Sequence, residues 1–491
     1  MRGERRVLRR NGISHSTGRL ALFVAGGLAL ACSDPAEPPA PEVPRPRHLV
    51  IVSLDTMGAA HMGAYGHGGG TTPTFDALAA QGTLFENAFT SQTHTLVAHL
   101  SLMTGLHAQT HGATEKRRAA SGATTLAEIL AKASFANRAF TTVSAFASDD
   151  FGLGRGFDDF TDMIKGGLLA NVQLHGPLRE DAARARSDPE HRLFLFMHYY
   201  DPHSDYETSV PYDAPRQYLD RYVSQDLRGS VRGDTARLLE LLANGGPDER
   251  QRRALHGLYD AGVAFTDQRI LGLLVDWLRD TKLLDDTLLV VTADHGEEFF
   301  EHRYLLHTQA YTEISRIPLL LVGPGIPAGV RVENPVALVD VMPTILSVLG
   351  LPIPDQVQGQ DLSPLLRGES VAPRGVMIDN MLAGRPRGMA SWIEEVDGRR
   401  WSYLRRVQKK AGSIEWTGER ELYDLGRDPR QRRNVASQFP EIAAELEQRL
   451  GESLLASREA GRALGVVDGP GEKILTDEER EALRGLGYID P

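Results

Sequence analysis

The run His48-Leu49-Val50-Ile51-Val52-Ser53-Leu54 narrows the folds open to this chain more than any other feature. Seven nearly continuous apolar residues, several of them β-branched, belong to a strand buried on both faces of a parallel sheet. Similar runs recur at 138–143, 193–198, Thr287–Thr292 and 318–322. Helical segments fall between them. One covers 75–81 behind a turn-forming Thr-Pro, and a longer one covers 252–279, with Ile270, Leu273, Leu274, Trp277 and Leu278 on one face. That stripe is read as core packing. Strands alternating with helices predict an α/β fold with a mostly parallel central sheet flanked by helices. From Ala372 the pattern turns to short segments with polar alternation and an amphipathic stretch at 441–450, which predicts a smaller C-terminal α+β subdomain. The tail at 476–491 reads as a short helix and an extended end. No internal repeat is found.

Open parallel sheets bind ligands at the carboxyl ends of their strands. Asp55 follows the first run, His198 to His203 end and follow the middle one, and Asp294-His295 follow Val290-Val291-Thr292. Any one of these is readily explained as a helix cap. Three sets of metal-capable side chains at three strand ends predict one shared site.

The single cysteine, Cys32, excludes a disulfide framework, a CxxC zinc site and an iron–sulfur centre. A net charge of -11 with no Lys/Arg tract in the body leaves no footprint for nucleic acid. The one basic segment is the start of the chain, where residues 1–31 carry six arginines against one glutamate before the apolar stretch Leu20 to Ala31. This is the pattern of a secretory leader. Ala29-Leu30-Ala31-Cys32 resembles a bacterial lipoprotein cleavage box, so Cys32 is the expected lipidation site; plain secretion and an uncleaved anchor are the alternatives. The Pro-rich stretch Asp34 to Pro41 would space a folded body from a membrane. The expected organisation is a leader at 1–31, a linker at 32–46, a catalytic domain at 47–371, a subdomain at 372–460 and a tail at 461–491. The expected place is outside the cytoplasm, as a periplasmic or outer-surface lipoprotein of a bacterium held through its lipid anchor. No motif bears on oligomeric state.

Asp294-His295-Gly296-Glu297 is the sharpest local signal, because a carboxylate and an imidazole at a strand end can hold one metal ion. With Glu298, Glu301-His302, His307 and Arg316-Ile317-Pro318-Leu319-Leu320, this region resembles the sulfatases of the alkaline-phosphatase superfamily. The resemblance extends to Leu54-Asp55-Thr56-Met57, Gly63-Ala64-Tyr65-Gly66, Thr71 to Ala79, Leu102-Met103-Thr104-Gly105, His111-Gly112 and His198 to His203. Glu421 to Leu425 with Asp428-Pro429 resembles that family's C-terminal subdomain.

The resemblance implies a metal-dependent hydrolase of anionic sulfate or phosphate esters. The family's nucleophile lies ten residues before the glycine of Leu-x-Thr-Gly, which is Thr95 here. In sulfatases that residue is a Cys or Ser converted to formylglycine; no formylglycine is expected from a threonine. Threonine nucleophiles occur in superfamily members that act on phosphate esters, so Thr95 favours a phosphate ester where family membership alone favours a sulfate ester. Carried over residue by residue, the metal ligands are Asp55, Thr95, Asp294 and His295. The imidazole of His295 favours Zn²⁺ or Mn²⁺ over Ca²⁺, which prefers oxygen. His99, His203 and His307 match positions that hold substrate oxygens or protonate the leaving group.

Four positions depart from the family pattern. Gly58 and Ala60 stand where it has Arg and Asp, and Val97 and Ala98 stand in the nucleophile segment. Two alternatives therefore stay open: a phosphoglycol- or phosphoethanolamine-type transferase, and a non-catalytic metal-binding surface lipoprotein. His61 and His67 are read as loop or packing residues, His107 and His111 as structural, and His302 as either a supporting or an exposed residue. Gly66 to Gly70 lack the Lys-Ser/Thr of a P-loop and are read as a flexible loop.

Overall fold

His48–Leu54 forms a strand, β1, buried along its whole length. Seven consecutive side chains leave water only in a strand covered on both faces, and β1 lies inside the sheet, between two parallel neighbours. This is a computed structural model, and it describes residues 44–114, 119–142, 151–162, 176–204, 210–380, 387–410 and 413–466. The next strands are β2 (Thr83–Phe89), β3 (Phe135–Thr141), β4 (Asp159–Asp162), β5 (Arg192–Tyr199) and β6 (Thr287–Thr292). Among the described residues they build a nine-stranded sheet in the order Val330–Ala337, β2, Leu319–Val322, β6, β1, β5, β3, β4, with Arg316–Ile317 also paired to β2. Only Leu319–Val322 and Arg316–Ile317 run antiparallel to their neighbours. The predicted mixed α/β class, with a mostly parallel sheet flanked by helices, is the observed one.

The β1 and β6 runs match the strands residue for residue. The third strand starts earlier than its apolar run, at Phe135 rather than 138, and takes in the polar Asn137. That side chain is buried, and its amide N–H groups donate to the carbonyls of Ala127 (2.8 Å) and Gly156 (2.7 Å). The expected long helix at 252–279 is three pieces: Glu249–Phe265, a π-helical turn Thr266–Leu271, and Gly272–Asp280. The wide turn holds Asp267, which accepts from the backbone N–H groups of Thr74 (2.8 Å) and Phe75 (2.9 Å). Those are unpaired donors at the start of helix α1 (Pro73–Ala79), so one helix caps another. Ile270, Leu274 and Leu278 of the predicted stripe lie in the core, with Trp277 packed at its edge.

The C-terminal region is a four-stranded antiparallel sheet, Val376–Asn380, Arg387–Val396, Arg399–Lys410 and Ser413–Asp424, paired in chain order. The predicted amphipathic stretch at 441–450 lies within a longer helix, Pro440–Ala463, whose Ala443, Leu446, Leu450 and Leu454 pack on Trp401, Tyr403 and Leu422. The two sheets share a small core in which Phe89, Tyr311 and Val339 meet Val376, Ile378 and Leu404. Gly461 brings the last helix against the chain at Gln109, where a Cβ would lie 2.4 Å from the Gln109 carbonyl oxygen. No helix among the described residues is long and apolar enough to cross a membrane. The leader with Cys32, the spacer before residue 44 and the tail at 476–491 lie outside the described residues.

Candidate active site

Register brings the predicted strand ends level. Leu54 of β1 pairs with Tyr199 of β5, and Ser53 pairs with Thr292 of β6. Asp55, His198 and Asp294-His295 therefore meet at one edge. One ligand atom from each of Asp55, Asp294 and His295 lies within 4.8 Å of the others, and all three side chains are buried. Oδ1 of Asp294 accepts from the backbone N–H of Thr56 (3.2 Å) and of His295 (2.9 Å). That leaves Oδ2 of Asp294 and Oδ1 of Asp55 buried without a hydrogen bond. Two orphaned carboxylate oxygens and an imidazole facing one point are a donor set that fits a divalent cation. Burial, together with the charge of Asp294, pushes the Asp55 carboxyl well above the usual range. Burial also acts to raise Asp294, but His295, His99 and His198 outweigh it and hold that carboxyl below the usual range.

Thr95 is the first residue of helix α2 (Thr95–Thr104), which is buried along all its length. Its hydroxyl donates to Oδ2 of Asp55 at 3.4 Å and lies 3.5 Å from Nε2 of His295. The positive end of the helix dipole lies there and favours negative charge beside the Thr95 hydroxyl. Thr56, next to the first ligand, has a φ of 52°, a left-handed conformation that a β-branched residue adopts only when its surroundings impose it. Its carbonyl accepts from the hydroxyl of Tyr259, which in turn accepts from the N–H of Gly58 at 2.9 Å.

The three predicted acid–base histidines are placed differently from one another. His203 and His307 flank the site with ring centroids 5.1 Å apart, and His307 stacks on His295 at 4.4 Å. His307 Nδ1 lies 3.4 Å from Oε1 of Glu297, whose carboxyl burial pushes up to about 8. His99 is close but turned inward. Its Nδ1 meets the Thr95 carbonyl and its Nε2 the Ser53 hydroxyl, both at 2.7 Å, and burial lowers it to about 3. A neutral ring with both nitrogens engaged holds helix α2 against β1 and has no atom left for a substrate. Val97 and Ala98, two of the departures, are buried inside the same helix.

His198, one of the predicted strand-end residues, joins the site, while His94 and Asn380 were passed over by sequence reasoning. His198 Nε2 lies 3.2 Å from Oδ2 of Asp55. His94, the residue before helix α2, meets Oδ1 of Asn380 at 3.2 Å, and Asn380 donates to the Thr308 carbonyl at 2.6 Å. Asn380 ends the first strand of the second sheet, so the C-terminal region reaches the site. His302, left open above, stacks on Tyr311 at 3.7 Å and pairs with Glu313 at 3.2 Å, a supporting position. His107 is half-buried and His111 fully buried, in keeping with a structural reading; His111 accepts from the N–H of Ala113 at 3.1 Å. His61 and His67 are more than loop residues, for both converge on Asp260.

Comparison with known proteins agrees with this architecture. The Sulfatase family model matches residues 47–351, and a model described as N-sulphoglucosamine sulphohydrolase, C-terminal, matches residues 296–458. Arylsulfatase K of Xenopus laevis is 34% identical over 208 residues, covering 41% of this chain and 37% of that protein. Arylsulfatase K of Homo sapiens is 32% identical over 205 residues, covering 41% and 37%. The matched segment is thus little more than a third of the length of these relatives. A protein solved with its substrate D-glucosamine-2-N,6-O-disulfate superposes with a TM-score of 0.63 at 18% identity, over 87% of this chain and all of the other. The phosphonate monoester hydrolase of Agrobacterium radiobacter gives 0.60 at 19% identity, over 85% and 96%. At such identities these two likenesses speak to the fold alone. The family match, which spans more than half of the sequence and holds both halves of the donor cluster, Asp55 and Asp294-His295, places this chain in the sulfatase family.

Proposed function

We propose that this protein is a metal-dependent hydrolase of anionic sulfate or phosphate esters in which Thr95 is the nucleophile. The observation that carries the reading is the Thr95 hydroxyl, set at the start of a buried helix and within 3.5 Å of both Asp55 and His295. The names of the relatives, arylsulfatases on one side and a phosphonate monoester hydrolase on the other, support an ester of a tetrahedral oxyanion as the substrate class. Threonine favours the phosphoryl side. A threonyl ester is released only by a second attack at sulfur or phosphorus, whereas a formylglycine hydrate expels sulfate by breaking its own C–O bond.

Asp55, Asp294 and His295, with the Thr95 oxygen, would hold the cation, and the imidazole among them favours Zn²⁺ or Mn²⁺ over Ca²⁺. Polarisation of an ester oxygen and a lowered hydroxyl pKa are the chemistry such an ion supplies when bound. Thr95 Oγ then attacks the sulfur or phosphorus atom, and its proton leaves through the oxygen of Asp55 that it already faces. The bond to the leaving alcohol breaks as one of the flanking imidazoles, His203 or His307, protonates the departing oxygen. Water attacks the threonyl ester in the second half, returning the Thr95 hydroxyl and releasing the inorganic anion. His99 acts as a positioning residue that holds the Thr95 carbonyl.

Turnover of aryl sulfate, aryl phosphate and aryl phosphonate by the purified protein, with Zn²⁺, Mn²⁺ and Ca²⁺ in turn, tests the reading. Thr95→Ala is expected to lower kcat by at least about 10³-fold even when enough metal is supplied to fill the site. Undiminished turnover in Thr95→Ala, or no turnover of any ester by the metal-loaded parent, overturns it.

The arginine-rich, apolar start of the chain supports export, with residues 1–31 as leader, Cys32 as lipidated N-terminus, a catalytic domain at 47–371 and a subdomain at 372–460. The mass of the mature chain decides the first two: diacylglyceryl on Cys32 is expected, and a chain that retains residues 1–31 refutes it.

A further inference from the structure

A second group of ligating side chains lies outside the site described above. His61 and His67 belong to the loop that follows β1, and Asp260 belongs to the helix Glu249–Phe265. His61 Nδ1 is 2.6 Å from Oδ1 of Asp260, and His67 Nε2 is 3.4 Å from Oδ2. One ligand atom from each of the three lies within 4.8 Å of the others. The His67 Nε2 atom is buried and makes no aligned hydrogen bond, although it points at the carboxylate. The ring reaches that position by folding over Gly69, where a Cβ would lie 2.7 Å from Nε2. Side-chain exposures of 15%, 23% and 16% for His61, His67 and Asp260 keep the cluster open to ions from one side.

Both imidazoles face the one carboxylate of Asp260. His61 is half-buried. Next to it, His256 stacks on His61 at 5.6 Å and is held by Glu301 at 3.1 Å, so it supports the cluster and leaves one side open to water. Two imidazoles and a carboxylate with an open fourth position are the ligand set of a tetrahedral zinc site.

We propose that His61, His67 and Asp260 form a second cation site, selective for Zn²⁺, which clamps the loop after β1 to the helix Glu249–Phe265. The loop so clamped begins at Asp55 and Thr56, and Tyr259, the neighbour of Asp260, already holds Thr56 and Gly58 through its hydroxyl. A Zn²⁺ ion here would therefore stiffen the backbone that carries the first ligand of the active site. Its entry displaces the proton that an imidazole shares with Asp260.

The test is metal content. The full chain is stripped with a chelator, dialysed against Zn²⁺, and measured beside His67→Ala, Asp260→Asn and Asp294→Asn. His67→Ala is expected to lower bound zinc by one equivalent, and Asp294→Asn to lower it by a different one, so that the double variant loses both. Should Asp260→Asn not fold, His67→Ala still decides, since it alters a partly exposed loop residue. Co²⁺ supplies a second readout: His67→Ala removes the part of the visible absorption that comes from cobalt at His61 and His67, and Asp294→Asn removes only the part that comes from cobalt at His295. Zinc content and cobalt absorption unchanged by His67→Ala overturn the proposal, whatever becomes of the active-site reading.

Discussion

The two oxygens of Asp294 divide their work. Oδ1 takes two backbone N–H groups and fixes the side chain; Oδ2, buried and without a hydrogen bond, is the oxygen proposed to hold the cation. That division needs the chain to turn sharply after His295, and Gly296 lets it. A Cβ at Gly296 would sit 2.4 Å from the Glu313 carbonyl oxygen and 3.1 Å from the Cα of Gly58, both backbone atoms that cannot swing aside. Gly296→Ala is accordingly expected to cost about 1–3 kcal/mol of stability and to weaken metal binding at Asp55 and Asp294 about 10- to 100-fold. Urea unfolding and zinc competition titrations measure the two effects, and an alanine variant with parental values in both would remove the close approach as a constraint. The residue scale is also where sequence reading was least complete. Asp55, Asp294 and His295 were legible because each sits at a strand end, a position that local patterns reveal, whereas Thr95 was found only through the family resemblance, ten residues before Gly105. The inward turn of His99 was not, because it depends on Ser53 of β1 lying 2.7 Å from the ring.

At the scale of elements, apolar runs located β1 and β6 closely because central strands are buried on both faces and leave no polar position to confuse the pattern. The edge strand Val330–Ala337 alternates, carries Pro335 and was passed over. The helical stretch at 252–279 shows the opposite failure. Its periodicity is continuous, yet the backbone widens into a π turn at Thr266–Leu271, where Asp267 caps helix α1 from 193 residues away. Burial raises that carboxyl to about 6, while the N–H groups of Thr74 and Phe75 act against it. No pattern within the helix announces an interruption whose purpose lies in another helix. The C-terminal helix repeats the lesson: its apolar face predicts burial, but only packing puts Gly461 against Gln109.

The whole molecule carries its acid sensitivity in buried neutral histidines. His48 is lowered to about 4, chiefly by burial, and His107 and His111 to about 3 for the same reason. Each binds a proton in the unfolded chain below pH 6.5 that the folded chain refuses until the lowered value is reached. Stability therefore rises with pH across that window and is lost as pH falls, by about 1.4 kcal/mol per pH unit for each fully counted group. His111→Asn, which keeps an acceptor for the N–H of Ala113, is expected to reduce the slope of unfolding free energy between pH 4.5 and 6.5 by about that amount. Urea titrations at several pH values measure it; parallel slopes for parent and variant would exonerate His111. What the sequence by itself determined is the fold class, the candidate ligands Asp55, Asp294 and His295 at strand ends, and the resemblance to the family that the comparison shows. These follow from local patterns, since burial on two faces is written in consecutive residues and parallel sheets bring strand ends to one edge. Only the tertiary structure decided that Asn380 reaches His94 across 286 residues and that Asp260 meets His61 across 199. Such contacts depend on how separate elements pack, and packing is set by the summed shape of a core, not by any segment that a local pattern can read.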